Sequence, residues 1–374
     1  MSKKYKRFIS LVIATVMTLL ALTSSRALAT ELTANSNTDI SNDLQFVQHT
    51  KEYSDLLINE IRSLVYASLG NCDESIVVQQ GFSIYNTDTD IVFSLMPVLL
   101  GGNYVGAIHS DDANNITFSS NTEIIEAISE LSPAQYILYI CNGIYYAECE
   151  EQRVVLGSTE FGSEIGNNFI SLSYIEKIDI LCTKGNLQTV TFSTTQQALL
   201  TTNQSVTTLS VVPPVIDEKC SITDFVRQNA DNCWAACVAT IVNYKKRTNL
   251  TAQAVSNACG ISGGGATLDQ THSALNRYSV YYNTLYDKLS WSKVKNTISA
   301  DCPFIMGLSE FWGPHMMTGY GYRCAYTDNS TNADFRYIYA WDPNGNNICF
   351  KYNDSSIIVS AYIYTWETSL YYNP

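Results

Sequence analysis

The sequence predicts an α+β protein made of two units, one of residues 30–200 and one of residues 217–374. In the first unit, an apolar pattern with helical spacing gives way to alternating strand patterns, which indicates a helix laid on an antiparallel sheet. In the second unit, helical patterns come first and strand patterns follow. That order predicts a helical lobe and an antiparallel β lobe with a cleft between them.

Charge and composition mark the boundary between the two units. Residues 30–212 carry 22 acidic and 5 basic side chains, whereas residues 213–374 carry 13 acidic and 12 basic ones. Residues 201–216 are rich in Thr and Ser and include the pair Pro213-Pro214. We therefore expect an extended linker and a processing region there. Neither unit resembles a basic surface that binds nucleic acid.

The N-terminus has the form of a secretory signal peptide. The basic segment MSKKYKR precedes the apolar run FISLVIATVMTLLAL, and the small-x-small pattern Ala27-Leu28-Ala29 follows. We therefore expect cleavage after Ala29, loss of residues 1–29, and an extracellular protein. An uncleaved N-terminal anchor is the alternative.

Turn signals divide the strands of the first unit. The uncharged stretch 91–108 is long enough to span a bilayer, but Gly101-Gly102 interrupts it and predicts two strands around a turn. Asn142-Gly143 predicts a second hairpin. In the second unit, helical spacing predicts four helices at 233–246, about 251–258, about 267–277 and about 291–299.

The chain has 11 cysteines, an odd number. In a secreted protein this parity fits one free thiol and five disulfide bridges, although none of the cysteines need be bridged. The connectivity is not determined by the sequence.

Two of the cysteines lie one helical turn apart in DNCWAACVATIVNY, residues 231–244. Asp231 or Asn232 is a suitable N-cap, which puts Cys233 in the first turn, where the helix dipole stabilises a thiolate. Cys237 lies one turn further along among alanines and is predicted to be buried or bridged. Zinc would need two more ligands at matching spacing, which the four histidines do not supply, so we expect no metal.

A thiolate nucleophile needs a general base and a group that orients that base. His315, in FWGPHMMTGYGY, begins a predicted strand, whereas His272 lies within a predicted helix. Asp342 ends the next predicted strand, in YIYAWDPNGN, where adjacent strands can bring it beside His315. Asp-Pro-Asn-Gly is also a turn sequence, and Asn344 and Asn346 compete for the orienting role.

The oxyanion of an acyl-transfer reaction needs hydrogen-bond donors. We expect the backbone N–H of Cys233 to be one, and the side-chain amide of Gln228, five residues upstream, to be the other. The stretch CGISGGGATLDQ lacks the Lys-Ser/Thr of a phosphate loop, which argues against nucleotide binding.

Together, Gln228, Cys233-Trp234, His315 and Asp342 resemble the site of papain-like cysteine peptidases. The likeness covers about 213–374 and is greatest to compact bacterial members, the staphopain-like and bacteriocin-leader-processing-like group, through CWAAC, GPHMMTGYGY and YAWDPNG. It implies a papain-like two-lobed fold, no cofactor, and a Cys–His pair that cleaves peptide bonds through a thioester acyl-enzyme.

The resemblance has departures as well as further implications. Cys233 and His315 are 82 residues apart, against about 130–150 in the papain and cathepsin type, and the third residue is Asp instead of Asn. The likeness also implies that Gly264 and Gly265 bind substrate backbone, with a plain flexible loop as the alternative. It implies that residues 30–200 are a pro-domain that acts as an intramolecular inhibitor and assists folding.

The sequence therefore predicts a secreted bacterial cysteine endopeptidase, made as an inactive precursor and acting on peptide or protein substrates. We expect no nucleic-acid partner, and no membrane association in the mature form. Two alternatives stay open. One is a transglutaminase-like acyl transferase, which shares the order Cys, His, Asp, and the other is a catalytically inactive secreted binding or inhibitor protein.

Overall fold

A computed structural model places most of the chain from residue 55 onward. It describes residues 45–46, 55–69, 76–79, 81–111, 115–131, 135–149, 153–158, 198–201, 215–229, 231–261, 264–310, 313–326, 335–360 and 362–374. The predicted signal peptide and nearly all of the predicted linker lie outside these ranges. No helix within them is both long and apolar enough to cross a membrane.

Six helices and eighteen strands occur in the described residues. The helices are α1 (Asp55–Leu69), α2 (Glu123–Ser129), α3 (Cys233–Lys246), α4 (Ala252–Cys259), α5 (Leu268–Arg277) and α6 (Trp291–Ser299). The first ten strands are β1 (Gln45–Phe46), β2 (Ile76–Gln79), β3 (Phe82–Asn86), β4 (Ile91–Leu100), β5 (Asn103–Ser110), β6 (Ile116–Ser119), β7 (Gln135–Cys141), β8 (Ile144–Glu148), β9 (Arg153–Ser158) and β10 (Ala198–Thr201). The others are β11 (Val215–Lys219), β12 (Asn283–Leu285), β13 (Phe304–Ser309), β14 (His315–Ala325), β15 (Tyr337–Asp342), β16 (Asn346–Lys351), β17 (Ile357–Val359) and β18 (Tyr362–Tyr371).

Both hairpins predicted in the first unit are present. Gly101-Gly102 joins β4 to β5, and Asn142-Gly143, in which both residues have positive φ, joins β7 to β8. The sheet differs from the prediction because β7 runs parallel to β3 and to β1. The chain between β3 and β7 contains three strands and α2, which is long enough for the crossover that a parallel pair requires.

The four helices predicted in the second unit occur within one residue of their predicted bounds. At two of these helices, α4 and α5, a side-chain cap explains why the start could be predicted from the sequence. Thr251 accepts a hydrogen bond from the Ala254 N–H at 3.1 Å and starts α4. Thr267 and Gln270 form a reciprocal capping box at the start of α5.

Helix α3 lies in the middle of the second unit. Its residues 233–242 are all buried, because the helix packs against α4 and α5 on one side and against β14 on the other. Over these residues the sequence is apolar nearly all round, as expected for a helix segment with no solvent-facing side. The first turn of α3 is therefore held firmly against the sheet.

Strand β14 is the centre of the antiparallel sheet in the second unit. On one side it pairs with β13 along its first half and with β11 along its second, and β15 lies on the other side. Because β14 and β15 are antiparallel, the start of β14 and the end of β15 lie at the same end of the sheet. His315 and Asp342 lie at this end.

The two sequence units share one sheet. β6 of the first unit pairs antiparallel with β16 of the second, and α1 packs across β15 and β16. The mixed architecture fits the predicted α+β class. The division at residues 201–216 stays a prediction.

Candidate active site

Cys233 is the first residue of α3, as predicted, and it is 8% exposed. Asn232 is the N-cap residue, and its carbonyl accepts from the N–H groups of Ala235 and Ala236. Its side chain, however, does not cap the helix and instead accepts from the Asn229 N–H at 2.8 Å. The expected side-chain cap is therefore absent. The positive end of the helix dipole faces the site with no capping side chain on it.

His315 and Asp342 lie side by side, at the start of β14 and the end of β15. Nε2 of His315 lies 2.9 Å from Oδ1 of Asp342, and the two side chains are 1% and 0% exposed. Burial alone would lower the pKa of His315, but hydrogen bonds to Asp342 and Cys233 raise it to about 10. The imidazole of His315 thus lies between the thiol of Cys233 and the carboxylate of Asp342.

Asp342 also opens the turn that its sequence predicts. Its Oδ1 accepts from the Asn344 N–H at 3.1 Å, and its carbonyl accepts from the Gly345 N–H at 2.9 Å. Gly345 has φ of 110°, which favours glycine. Of the competing residues, Asn344 supplies this backbone contact and Asn346 pairs with Asp342 at the start of β16. It is Asp342 that is hydrogen-bonded to His315.

Gln228 lies in the segment that leads into α3. Its backbone N–H donates to the Pro343 carbonyl at 2.9 Å, which ties this segment to the turn after Asp342. Trp341 Nε1 donates to the Val226 carbonyl at 3.2 Å, and the Phe225 ring stacks on the Trp341 ring at 4.7 Å between centroids. The half-buried Gln228 is thereby held on the Asp342 side of the site.

Residues 218–351 match the sequence profile of a protein family described as papain-like cysteine protease AvrRpt2. The matched span contains Gln228, Cys233, His315 and Asp342. The chain carries a papain-like cysteine peptidase domain. The match supports a peptidase over the acyl-transferase and inactive-protein alternatives. It does not confirm the staphopain-like subtype, and no curated protein matches the chain.

Within the peptidase domain, Cys237 differs from Cys233 in its surroundings. It is fully buried and is a free thiol, not half of a bridge. Burial raises its pKa well above the ordinary value, against a smaller lowering by a hydrogen bond with Thr318 of β14. A thiol that stays protonated is a poor nucleophile. The surroundings of Cys237 therefore favour the predicted structural role.

The disulfide frameworks allowed by parity are not seen in the described part of the peptidase. The cysteines at 141, 149, 220, 233, 237, 259, 302, 324 and 349 are all free thiols. The other two, at 72 and 182, lie outside the described residues.

Strand β18 supplies a wall of the peptidase site that no sequence pattern singled out. The Tyr364 ring lies 5.8 Å from the His315 ring between centroids and is tilted by 42°. Tyr364 is 1% exposed, so it shields the imidazole from water on that side. Alternating tyrosines on a strand are typical of any packed sheet, and only the tertiary structure distinguishes this one.

The predicted substrate-binding glycines lie beside the nucleophile helix. Trp234 Nε1, one residue after Cys233, donates to the Gly264 carbonyl at 3.3 Å. A Cβ added at Gly264 or Gly265 would meet no heavy atom within 4 Å. The backbone here borders open space, which suits a substrate contact, and that role stays a prediction.

His272 does not belong to the peptidase site. It lies on α5, where its Nε2 is 2.8 Å from the Tyr282 carbonyl oxygen and 3.3 Å from Asn276 Nδ2. These contacts tie α5 to the segment before β12. The preference for His315 over His272 as the base agrees with this placement.

Proposed function

We propose that the chain is a secreted cysteine endopeptidase that acts through Cys233, His315 and Asp342. The observation that carries the proposal is the position of His315, which is hydrogen-bonded to Cys233 and to Asp342 at once. A carboxylate can only accept, so the Asp342 contact puts a proton on Nε2 and leaves Nδ1 to exchange a proton with the thiol. Nucleophile, base and orienting acid thereby form one hydrogen-bonded row.

The acylation step follows from this arrangement. The Cys233 thiolate attacks the carbonyl carbon of the scissile peptide bond, with the His315 imidazolium as its counterion. When the tetrahedral intermediate collapses, the C–N bond breaks and His315 gives its proton to the leaving amine. The product is a thioester between Cys233 and the acyl half of the substrate.

Hydrolysis of the thioester returns the enzyme to its starting state. Neutral His315 removes a proton from water, which attacks the thioester carbonyl, and the C–S bond breaks to regenerate the thiolate. In both steps the oxyanion accepts from the backbone N–H of Cys233 at the start of α3 and from the side-chain amide of Gln228. The contact of the Gln228 backbone N–H with the Pro343 carbonyl, next to Asp342, supports this role.

A thiol-directed epoxide tests the nucleophile assignment. We expect one adduct per chain, at Cys233, and no adduct in Cys233→Ala. His315→Ala should slow labelling at least about a hundredfold, since an unassisted thiol is mostly protonated at neutral pH. Labelling of another cysteine, or labelling that is unchanged in His315→Ala, would contradict the proposal.

The same preparation separates hydrolysis from acyl transfer. A quenched peptide library should release new amino termini, and an added primary amine should not be incorporated at glutamine. His272→Ala is the matched control, because it removes an imidazole of the same domain that lies away from Cys233. This control should keep both labelling and cleavage.

We further propose that residues 30–200 help the peptidase domain to fold and restrain it until residues 201–216 are cut. Two contacts support this precursor hypothesis. Helix α1 packs on β15 and β16, and Tyr362, two residues before Tyr364, donates to Asp88 of the first unit at 3.1 Å. The first unit thus reaches the strand whose Tyr364 packs against His315.

Deletion of residues 30–212 tests the precursor hypothesis. We expect the shortened chain to be poorly soluble, and co-expression of residues 30–200 to restore it. Mass spectrometry of the secreted product, with and without Cys233→Ala, would report signal cleavage, the processing site and whether processing is autocatalytic. A deletion that changed neither folding nor activity would contradict the hypothesis.

A further inference from the structure

The join between β6 and β16 is a hydrogen-bonded sheet contact. Thr117, Phe118 and Ser119 face Phe350, Cys349 and Ile348 in antiparallel register. The ladder continues past the strand, because the Ser120 N–H donates to the Asn347 carbonyl at 3.0 Å and the Asn347 N–H donates to Ser120 Oγ at 2.9 Å. Without β6, this side of β16 would be an open sheet edge.

Helix α1 covers the same region with apolar side chains. Ile61, Leu64, Val65 and Ala67 of α1 belong to one buried cluster with seven residues between Ile76 and Phe118 of the first unit and with three buried residues of the peptidase domain. Those three are Tyr337, Tyr339 and Cys349. The cluster is a core shared by both units, so separating the units would expose apolar surface on each.

Buried polar groups of the peptidase domain also take partners from α1. Lys351 Nζ lies 2.9 Å from Glu60 Oε1, with the two side chains 10% and 25% exposed. Arg323 Nη1 donates to the Tyr66 carbonyl at 3.2 Å, and the Tyr339 hydroxyl donates to the Ala67 carbonyl at 2.7 Å. Separation would leave these groups without those partners, which is costly for a buried cation.

A second contact lies at the other end of the interface. The Asp88 carboxylate accepts from the N–H groups of Asn142 and Gly143 at 2.8 and 3.0 Å, which fixes it inside the first unit. The same carboxylate accepts from the Tyr362 hydroxyl at 3.1 Å. The first unit therefore contacts the peptidase domain at β16 and at β18.

We infer that the first unit stays bound after the connecting segment is cut, so that the processed peptidase is a two-chain complex of residues 30–200 and 217–374. The contact continues one sheet and one apolar core across both units. The residues that make the contacts described above all lie outside 202–214, the segment that connects the two units. Cutting that segment removes none of them.

The retained unit has a place in the architecture of the site. β16 pairs with β15, and Asn347, which is bonded to Ser120, lies opposite Trp341 and next to the Asp342–Asn346 pair. The first unit thus supports the hairpin that presents Asp342 to His315. The cut enzyme is expected to keep the first unit as a lasting subunit.

The experiment cuts the full chain at a chosen point. A recognition sequence for a site-specific protease is inserted within residues 202–214 of a Cys233→Ala chain, which keeps the result independent of the chain's own peptidase activity. After complete cleavage, size exclusion and native mass spectrometry should show both fragments in one species down to nanomolar concentration. Separate peaks, or precipitation of one fragment alone, would overturn the inference.

Charge reversal tests whether the described interface holds the complex. Glu60→Lys should raise the dissociation constant of the cut complex at least about tenfold, because it sets two cations against each other. Adding Lys351→Glu should restore most of the affinity. Glu126→Lys, the same change at an exposed position of α2, is the control and should have no effect. Equal dissociation constants for Glu60→Lys and the control would overturn the assigned interface.

Discussion

His315 and Asp342 are joined by a hydrogen bond of 2.9 Å between two buried side chains, with exposed fractions of 1% and 0%. The bond joins the first residue of β14 to the last residue of β15, the strand that pairs with it. The carboxylate is itself held by the Asn344 N–H. The orientation of the imidazole is therefore set by a turn, and the roles of Asp342 as turn former and as acid are compatible.

Asp342→Asn should lower kcat by about tenfold and leave KM nearly unchanged. The amide oxygen can still accept from His315 and from the Asn344 N–H, so the geometry survives while the charge that stabilises the imidazolium is lost. A hydrogen bond to a charged group is worth about 1.5–3 kcal/mol, of which the neutral acceptor keeps a part. Asp342→Ala removes the bond as well, and about a hundredfold loss or more is expected.

Steady-state kinetics on a peptide substrate measure both Asp342 variants. Asp224→Asn is the control, because that carboxylate is exposed and accepts from the hydroxyl of its neighbour Thr223. Equal kcat values for Asp342→Ala and wild type, with both folded, would show that Asp342 does not orient the base.

Local sequence signals predict the candidate site well. Cys233 at a helix start, His315 at a strand start and Asp342 at a turn can each be recognised from neighbouring residues. Their order along the chain is then enough to propose them as nucleophile, base and orienting acid. The exception is the N-cap. Asn232 occupies the cap position, yet its side chain bonds upstream to Asn229, because a bond to the preceding loop competes with the cap.

Long-range pairings could not be predicted from the sequence. Hairpins at Gly101-Gly102 and Asn142-Gly143 follow from turn chemistry, but the parallel pair β3–β7 and the join of β6 to β16 link strands far apart in the chain. The sequences of residues 116–119 (ITFS) and 346–351 (NNICFK) contain nothing that marks them as partners. Tyr364 was missed for the same reason, since its contact with His315 is tertiary.

Cys233→Ala and Cys237→Ala should differ in kind. Cys233→Ala is expected to abolish turnover with little change in Tm, because its sulfur is at the edge of the core. Cys237 is fully buried, so removal of its sulfur should cost about 1–2 kcal/mol of stability while the folded fraction keeps its turnover. Thermal unfolding and active-site titration measure the two effects separately, and equal loss of intrinsic turnover in both folded variants would refute the assignment.

Glu310→Gln should remove a pH-dependent weakening of the contact between the two units. Burial, and after it the carboxylate of Asp88, raise the pKa of Glu310 to about 7. Since the folded state holds the proton more tightly, this contribution to stability is complete below about pH 4.5 and is lost as the pH rises through about 7. The glutamine variant should lack that loss.

Thermal unfolding of the full chain between pH 4.5 and 8 checks the Glu310 prediction. The difference in Tm between wild type and Glu310→Gln is expected to change in favour of the variant as the pH rises. Asp269→Asn is a control at an exposed position, where the carboxylate accepts from the hydroxyl of the exposed Tyr286. A Tm difference for Glu310→Gln that stays constant over this range would contradict the prediction.

The stability that His315 contributes should fall at alkaline pH. Hydrogen bonds to Asp342 and Cys233 overcome the effect of burial and raise its pKa from the ordinary value to about 10. Below about pH 6.5 the imidazole is protonated in both folded and unfolded chains, and the contribution is complete. Between about 6.5 and 10 only the folded chain holds the proton, so the free energy of unfolding falls by at most about 1.4 kcal/mol per pH unit.

Urea unfolding under reductant at pH 6, 8 and 10 should therefore show the difference in unfolding free energy between wild type and His315→Gln shrinking as the pH rises. The kcat of the wild type should fall only as the pH rises through about 10, because neutral His315 has no proton for the leaving amine. A stability difference that grew from pH 6 to pH 10 would mean that burial dominates and that the imidazole rests neutral beside Cys233.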